Sequence, residues 1–393
     1  MDILILEPFY TGSHASWAEG YTRHSRHKVK VLALSGAHWK WRMHGGAVTL
    51  ARKYVEQNQH PDVLLATDML DMTTFLSLTR NRTSGIPAAV YFHENQINYP
   101  WSPKDRDKAR ERDRHYGFIN YASALACDRV FFNSNYHRDA FLEELPRFLH
   151  QFPDHQDTSQ VDTIEKKSRV LPLGFDFSDL RRLSMVSEPT AATAPVDGLT
   201  GTRAIVSSSE KGQRPPLILW NHRWEYDKNP DDFFEALKIV ASYGYDFEVA
   251  LLGESFDVIP EAFVKAREEL GPRIVKYGYA KDRSEYARWL QRADLLPVTS
   301  NQDFFGSSVI EAVFCDCFPI LPKRLAFPEL FPAELHSACF YRDFSDLVGR
   351  LQAALGGIER VRKISFRTVA EKYDWETIAP LYDDALEELA KRR

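Results

Sequence analysis

The sequence of 393 residues has few cysteines, little net charge and no long apolar run. Four cysteines in so long a chain are too few for a disulfide framework, and no CxxC pair indicates zinc. No apolar run approaches the roughly 20 residues that a membrane-spanning helix needs. Asp and Glu (55) outnumber Lys and Arg (50), which excludes a general positively charged coat for nucleic acid.

The amino terminus also lacks the features of a secretory signal. Its apolar stretch, residues 3–6, is short and has no basic flank. We therefore expect a cytoplasmic protein, with a nuclear location left open, and a monomer by default. A composition of 44% hydrophobic and 27% charged residues is ordinary for a globular enzyme, and the length predicts two to three domains of roughly 150 residues.

Short apolar runs alternate with stretches of helical period in both halves of the sequence. Helical period is visible at 47–57 and 136–149. This alternation predicts parallel sheets with both faces covered by helices. The predicted strands are 3–6, 29–34, 63–66, 88–92, 129–133 and 170–173 in the first half, and 217–220, 247–252, 274–276, 295–298 and 318–321 in the second.

Residues 184–214 interrupt the alternation. They are rich in Ser, Thr, Pro, Ala and Gly, which predicts a flexible linker or insertion. Two α/β halves joined in this way predict a cleft, with ligands at the carboxyl ends of the strands. The predicted domains are 1–183 on the acceptor side, 215–364 for the nucleotide sugar, and helices at 365–393 that cross back to the first domain.

Two cations follow the predicted strand 217–220. Arg223 and Lys228 lie in the loop before an amphipathic stretch that starts at Asp231. A guanidinium that donates paired hydrogen bonds and an ammonium that acts as a point charge suit a diphosphate. The alternative is a pair of solvated loop cations.

A second motif occupies residues 303–312. Gly306 lets a ligand approach the backbone, and a helix predicted from Ser308 offers a phosphate its free N–H groups and positive dipole end. Glu311, about one turn into this helix, suits two vicinal ribose hydroxyls, with a solvated helix carboxylate as the alternative. Asp303 is either a ligand-binding carboxylate or a cap of the helix.

These motifs resemble the donor-binding half of retaining glycosyltransferases of the GT-B fold, the large group that includes sucrose and glycogen synthases. The resemblance extends to 130–135, 170–176 and 373–375, and it departs at Asp303, where those enzymes usually have Glu. It implies an α/β protein of two Rossmann-like domains with parallel sheets facing across a cleft. The predicted donor-binding residues are Thr11, Gly12, Ser13, Arg223, Lys228, Gly253, Glu254, Tyr279, Asp303, Gly306, Ser307, Ser308 and Glu311.

Three segments of the first half resemble a narrower family, the tRNA-queuosine α-mannosyltransferases. They are residues 7–14 (EPFYTGSH), 38–45 (HWKWRMHG) and 91–100 (YFHENQINYP). The resemblance implies transfer of mannose, with retention, from GDP-mannose to the cyclopentene-diol of queuosine in the anticodon of tRNA-Asp. It implies a nucleotide sugar and tRNA as partners, and we expect no membrane partner.

The same segments have physical readings of their own. Residues 11–13 are a predicted turn after the first strand, so their N–H groups can face donor phosphates. His14 is either an acceptor-side group or a packed loop histidine. Four polar residues are clustered at 93–96, which favours ligand recognition over a purely structural role. Interleaved aromatics and cations at 39–42 suit base stacking and phosphates, with an amphipathic segment over packed tryptophans as the alternative. The predicted acceptor-binding residues are His14, Trp39, Lys40, Trp41, Arg42, Glu94, Asn95 and Gln96.

The charged run 104–115 alternates in sign, which favours a solvated helix with internal ion pairs over an RNA contact.

The predicted catalytic residues are His93, Asp303, Arg223 and Lys228. Charge builds on the departing diphosphate in the transition state, and the two cations stabilise it. The resemblance places His93 against the donor sugar. We expect no metal or other cofactor, because no DxD triplet suited to a divalent ion is present.

Two other functions remain open from the sequence. One is a GT-B hexosyltransferase that uses another nucleotide sugar and a lipid, glycan or protein acceptor. The other is a non-catalytic nucleotide- or RNA-binding protein, which the joint presence of Arg223, Lys228 and Glu311 disfavours.

Overall fold

The computed structural model describes residues 1–102, 114–185, 214–254 and 259–391. Within these ranges the chain forms two compact units. The first unit is Met1–Asp176 with Tyr373–Arg393, and the second unit is Phe177–Lys372. The predicted charged helix at 104–115 and the predicted linker at 184–214 lie almost wholly outside the described residues.

The first unit is built on a parallel sheet of continuous apolar strands, the pattern expected when both faces of a sheet are covered. Among the described residues, the strand order is β2-β1-β3-β4-β5-β6, and every adjacent pair is parallel. The strands are β1 (Asp2–Tyr10), β2 (Lys28–Ser35), β3 (Val63–Thr67), β4 (Ala88–Phe92), β5 (Arg129–Phe132) and β6 (Ser168–Val170).

Helices connect these strands. Two of them begin at a capping side chain, because Asp71 accepts from the N–H of Thr74 and Ser134 accepts from the N–H of His137. The helices are α1 (Gly12–His24), α2 (Trp39–Glu56), α3 (Met72–Thr83), α4 (Arg114–Ala126), α5 (Asn135–Leu149) and α6 (Gln160–Lys167).

The C-terminal helix, Trp375–Ala390, also belongs to the first unit. It packs on α1, where Trp17 Nε1 donates to the hydroxyl of Tyr382 at 3.1 Å and the Tyr21 hydroxyl donates to Asp383 at 2.8 Å. These buried hydrogen bonds join the two ends of the sequence in one core.

The second unit repeats the architecture. Its described strands have the order β12-β11-β10-β7-β8-β9, and again every adjacent pair is parallel. They are β7 (Leu217–Trp220), β8 (Glu248–Leu251), β9 (Ile274–Tyr277), β10 (Leu295–Pro297), β11 (Phe318–Pro322) and β12 (Phe340–Tyr341).

The helices of the second unit cover both faces of this sheet and include several short ones. Short 3-10 helices lie at Tyr226–Lys228, Gly271–Arg273 and Ala333–Leu335. The α-helices are α7 (Ser178–Met185), α8 (Pro230–Ser242), α9 (Glu261–Leu270), α10 (Arg283–Arg292), α11 (Ser307–Phe314), α12 (Phe327–Leu330), α13 (His336–Cys339), α14 (Phe344–Gly356), α15 (Ile358–Val361) and α16 (Arg367–Glu371).

Several local predictions were wrong. The strand predicted at 170–173 is β6 at Ser168–Val170, and β12 was not predicted at all. The turn predicted at residues 11–13 contains the start of α1, and α2 begins at Trp39 rather than at residue 47.

The units end at positions that differ from the predicted boundaries. The first unit ends at Asp176 rather than at 183, because α7 packs against α10 of the second unit. The predicted linker would begin at 184, but α7 continues to Met185. The second unit continues to Lys372, beyond the predicted end at 364.

No helix in the described ranges has the length and apolar character needed to cross a membrane. All four cysteines are buried.

Candidate active site

The candidate site residues lie at the carboxyl ends of parallel strands in each unit. In the first unit, Glu7 lies in the last part of β1 and His93 directly follows β4. In the second unit, His222 follows β7 and Asp303 follows β10. Ligands of α/β proteins bind at this edge of the sheet.

A buried ion pair joins β1 to α1. Oε2 of Glu7, a fully buried residue, lies 3.0 Å from Nδ1 of His14, which is 6% exposed. Burial alone would lower the pKa of His14, but the Glu7 carboxylate outweighs burial and raises that pKa to about 9. The His14 imidazole is therefore cationic at neutral pH. His14 lies in α1, so the alternative of a packed loop histidine was wrong about the loop, although the side chain is packed.

His93 presents a neutral imidazole next to this pair. Its ring centroid lies 4.2 Å from that of His14, and its edges contact Trp17 and Tyr91. Burial, and then the cationic His14, keep the pKa of His93 well below its ordinary value. Neither ring nitrogen has a hydrogen-bond partner among the described residues. Because buried polar atoms are normally paired, a hydroxyl-bearing ligand would complete this arrangement.

Sequence reasoning missed Glu7 and Asp68. Asp68 follows β3 and is buried, and its Oδ1 accepts from the backbone N–H of His93 at 2.8 Å. Burial raises the pKa of Asp68 to about 8, although the charge on His14 opposes this shift. The only sequence signal was an acidic residue just after, or within, an apolar strand.

Hydrogen bonds within the loop after His93 fix its conformation. Oδ1 of Asn95 accepts from the N–H groups of Ile97 at 3.1 Å and Asn98 at 2.8 Å. Oε1 of Glu94 accepts from Nε2 of Gln96 at 2.9 Å. The amide nitrogen of Asn95 is buried without a partner among the described residues. The predicted acceptor role of Asn95 therefore depends on that nitrogen, because the oxygen is used within the loop.

Thr11, Gly12 and Ser13 are exposed at the start of α1. Gly12 has φ of +51°, a left-handed conformation that favours glycine. An exposed helix start of this kind suits an anion.

Trp39, Lys40, Trp41 and Arg42 form the first turn of α2. The ring of Trp39 packs on Tyr116 with centroids 5.1 Å apart, whereas Trp41 is exposed. The packed-tryptophan alternative therefore applies to Trp39 and fails for Trp41.

Lys228 is the buried cation of the second unit. Its Nζ donates to the carbonyl of Gln302 at 2.6 Å and lies 3.2 Å and 3.3 Å from the carboxylates of Asp227 and Asp303. Burial disfavours the ammonium, but Asp303 and Asp227 outweigh burial and raise the pKa of Lys228. The alternative of a solvated loop cation was therefore wrong for Lys228.

Arg223 is more accessible, since 41% of its side chain is exposed. Its guanidinium lies 3.7 Å from Glu225, at the end of the loop that follows β7. An accessible guanidinium beside a buried ammonium is a suitable pair for a diphosphate.

His222 was also missed by sequence reasoning. It is buried between β7 and α11, where its Nδ1 lies 2.8 Å from the hydroxyl of Ser308. Burial and then Lys228 lower the pKa of His222 to about 4, so the ring is neutral at physiological pH. Its Nε2 has no hydrogen-bond partner among the described residues. Because its imidazole is neutral, His222 is not found by looking for charged residues in the loops after strands.

Asp303 does not cap α11. The cap residue is Gly306, with φ of +97°, and no side chain accepts a capping hydrogen bond there. Asp303 instead faces Lys228 and accepts from the N–H of Phe305 at 3.2 Å. Burial would raise the pKa of Asp303, but the Lys228 ammonium outweighs burial and lowers that pKa.

Glu311 is largely buried, so the solvated alternative was wrong. Its Oε1 lies 2.6 Å from the guanidinium of Arg283, and its Oε2 accepts from the Tyr286 hydroxyl at 2.9 Å. The two oxygens of a carboxylate offer about four acceptor positions, so Glu311 can still accept hydrogen bonds from ribose hydroxyls. Arg283 and Tyr286 were not predicted.

The remaining predicted donor-binding residues have fewer contacts with the Lys228–Asp303 pair. Gly253 lies where a Cβ would overlap the carbonyl of His222, and the carbonyl of Glu254 accepts from the N–H of Trp224 at 2.9 Å. Ser307 begins α11, and Tyr279 is exposed after β9. Among the described residues, Tyr279 forms no hydrogen bond with Lys228 or Asp303.

Glu7, His14 and His93 also form a group that could hold a metal ion, since one ligand atom of each lies within 4.8 Å of the others. A metal would have to displace the proton of His14, which Glu7 stabilises. Metal independence stays a prediction.

Comparisons with known proteins bear on both units. The profile of a family described as tRNA-queuosine alpha-mannosyltransferase N-terminal matches residues 2–175. A Drosophila melanogaster tRNA-queuosine alpha-mannosyltransferase is 32% identical over 335 residues, which are 84% of this chain and 82% of the relative.

Solved structures share the fold over almost the whole chain. Anabaena HepE in complex with UDP and glucose superposes with a TM-score of 0.63 at 14% identity, over 99% of this chain and 100% of that one. A glycosyltransferase from Rickettsia africae superposes with a TM-score of 0.65 at 12% identity, over 100% and 99%. The predicted GT-B fold is confirmed.

Proposed function

Because the chain belongs to the tRNA-queuosine alpha-mannosyltransferase family, we propose that this glycosyltransferase moves mannose from GDP-mannose to a cyclopentene-diol hydroxyl of queuosine in tRNA-Asp. The observation that carries the proposal is the combination of two polar groups at strand ends. One is the His222–Lys228–Asp303 group of the second unit, and the other is the Glu7–His14–His93 group of the first. A tRNA acceptor suits the cytoplasm, which we propose as the location.

The second unit supports binding of the donor diphosphate. Lys228 is held in place by two carboxylates and a carbonyl, so its charge needs no reorganisation when charge develops nearby. Arg223 adds an accessible guanidinium, and the start of α11 at Ser307 adds backbone N–H groups. Glu311 is the proposed partner of the ribose hydroxyls.

The first unit supports binding of sugar and acceptor hydroxyls. His93 is neutral and buried, and its two ring nitrogens lack partners among the described residues, so it can both donate and accept. Its backbone is fixed by Asp68. The proposed acceptor contacts are His14, Glu94, Asn95 and Gln96.

The proposed reaction retains configuration without a covalent enzyme intermediate. The bond from the anomeric carbon to the phosphate oxygen breaks, and its electron pair goes to the diphosphate. The acceptor oxygen then bonds to the anomeric carbon on the same face, and its proton passes to a diphosphate oxygen. Arg223 and Lys228 stabilise the diphosphate charge, while His93 and Asp303 position the sugar.

The donor is tested by incubating the protein with queuosine-containing tRNA and either GDP-mannose or UDP-glucose. We expect a hexose mass increment on the queuosine nucleoside with GDP-mannose alone. An increment with UDP-glucose, or none with either donor, would contradict the proposal. A tRNA-Asp transcript that lacks queuosine is the control and should gain no hexose.

A further inference from the structure

Trp41 is an exposed aromatic ring held on a rigid helix. It lies in the first turn of α2, and 64% of its surface is exposed. Gly45 follows it by four residues and therefore shares its face of the helix. A Cβ on Gly45 would lie 2.6 Å from Cζ2 of the Trp41 ring. The missing side chain of Gly45 thus lets the indole lie close to the helix backbone.

The opposite face of the same turn is packed. Trp39 lies against a small apolar cluster of Met43, Met69 and Tyr116. This cluster also includes Phe9, whose ring centroid lies 6.1 Å from that of His14. The helical turn that carries Trp41 is therefore anchored in a cluster whose Phe9 ring lies next to His14.

Cations precede and follow Trp41 in the sequence, and both have contacts of their own. Nζ of Lys40 lies 5.6 Å from the Trp39 ring centroid and 5.4 Å from that of Trp101. Arg42 donates from Nε to the carbonyl of Ser35 at 3.0 Å and from its terminal nitrogen to the Ser35 hydroxyl at 3.1 Å. Because Ser35 ends β2, Arg42 is fixed at the carboxyl edge of the sheet.

We propose that Trp41 is a stacking platform for an unpaired base of the acceptor RNA next to the modified nucleotide. The inference rests on the proposed function and deepens it by assigning the RNA contact to one ring. Unpaired bases stack on aromatic rings without strong sequence preference, and the flanking cations complement the phosphates. A membrane is the less favoured partner, because an indole that lies against the helix backbone at Gly45 is poorly placed to insert into lipid.

The direct test is binding of a fluorescently labelled RNA hairpin with the tRNA-Asp anticodon loop, without queuosine and without GDP-mannose. We expect Trp41→Ala to raise the dissociation constant at least fivefold, and Trp41→Phe to restore most of the affinity. Tyr243→Ala is the matched control, since this tyrosine of the second unit is 67% exposed. It should bind like the wild type.

Two further variants separate stacking from folding. Gly45→Ala should fold at least as stably, since alanine favours helix, yet bind RNA about threefold or more weakly because its Cβ displaces the Trp41 ring. Arg42→Ala should reduce the salt dependence of RNA binding by about one phosphate contact.

The inference is overturned if Trp41→Ala binds the hairpin like the wild type, or if the wild type does not bind it. It is also overturned if Trp41 is needed only for binding to phosphatidylcholine–phosphatidylserine vesicles. Failure of the proposed function shows instead as absence of mannose transfer, while Trp41-dependent hairpin binding persists.

Discussion

At the residue scale, the charge of His14 depends mainly on one neighbour, the carboxylate of Glu7. Burial favours the neutral ring, and the Glu7 carboxylate overrides burial, so the pKa rises to about 9 in the folded protein. The ordinary pKa of histidine is about 6.5. A raised pKa stabilises the fold fully below pH 6.5, and this contribution is lost as the pH rises through 9.

Glu7→Gln tests this charge. Without the carboxylate, burial dominates and the pKa of His14 falls, so the variant should lose on the order of 2 kcal/mol of unfolding free energy at pH 6. The difference from wild type should shrink at pH 9.5. Denaturant unfolding at both pH values measures it, with the exposed Glu56→Gln as control. An equal difference at both pH values would contradict the assignment.

His222 carries a separate prediction. If its Nε2 contacts the donor, His222→Ala should raise the KM for GDP-mannose about tenfold and leave the KM for tRNA unchanged. The exposed His155→Ala is the matched control. A tRNA KM that rises together with the donor KM would indicate a structural role instead.

The sequence revealed part of the site and missed several of the residues that contact it. Arg223, Lys228 and Asp303 were predictable because charges in loops after strands are conspicuous. Asp68 and His222 were not, because their importance comes from contacts made across the sheet edge, with His93 and Ser308. Spacing along the chain does not encode those contacts.

At the element scale, packing of the C-terminal helix requires glycine at positions 20 and 174. A Cβ on Gly20 or on Gly174 would overlap the indole of the buried Trp375. The indole occupies the space that both glycines leave, and it anchors the start of this helix.

Gly20→Ala should therefore destabilise the protein by about 1–3 kcal/mol, despite the better helix propensity of alanine. Gly349→Ala is the control, because Gly349 lies in α14 with no atom within 4 Å of an added Cβ. We expect it to be neutral or slightly stabilising, by up to about 1 kcal/mol. Thermal unfolding of both variants decides the matter, and equal stabilities would contradict the packing argument.

Strands were easier to predict than helix starts. The strand at 88–92 was predicted at its observed bounds, because a fully buried strand is a continuous apolar run. The start of α1 was mistaken for a turn, since Gly12 and Ser13 are turn residues when read locally. The two-residue β12 has too little pattern to detect.

At the scale of the whole molecule, the duplicated α/β architecture was predictable from alternation alone. The ends of the units were not, because packing of α7 on α10 is invisible in composition.

Metal independence is a prediction that is tested on the intact enzyme. We expect EDTA treatment to leave mannose transfer unchanged, and elemental analysis to find well under one equivalent of metal, because Glu7 holds a proton on His14. Loss of transfer on EDTA treatment that zinc restores, with lower metal content in His14→Ala, would contradict this expectation.

The most direct test of the central claim is the mass of the queuosine nucleoside after incubation of tRNA-Asp with GDP-mannose. Wild-type protein should add one hexose that α-mannosidase removes and β-mannosidase does not. Arg223→Ala should transfer at least a hundredfold more slowly, whereas the exposed Lys265→Ala should match the wild type. A β-linked product, or an Arg223→Ala rate equal to wild type, would contradict the account.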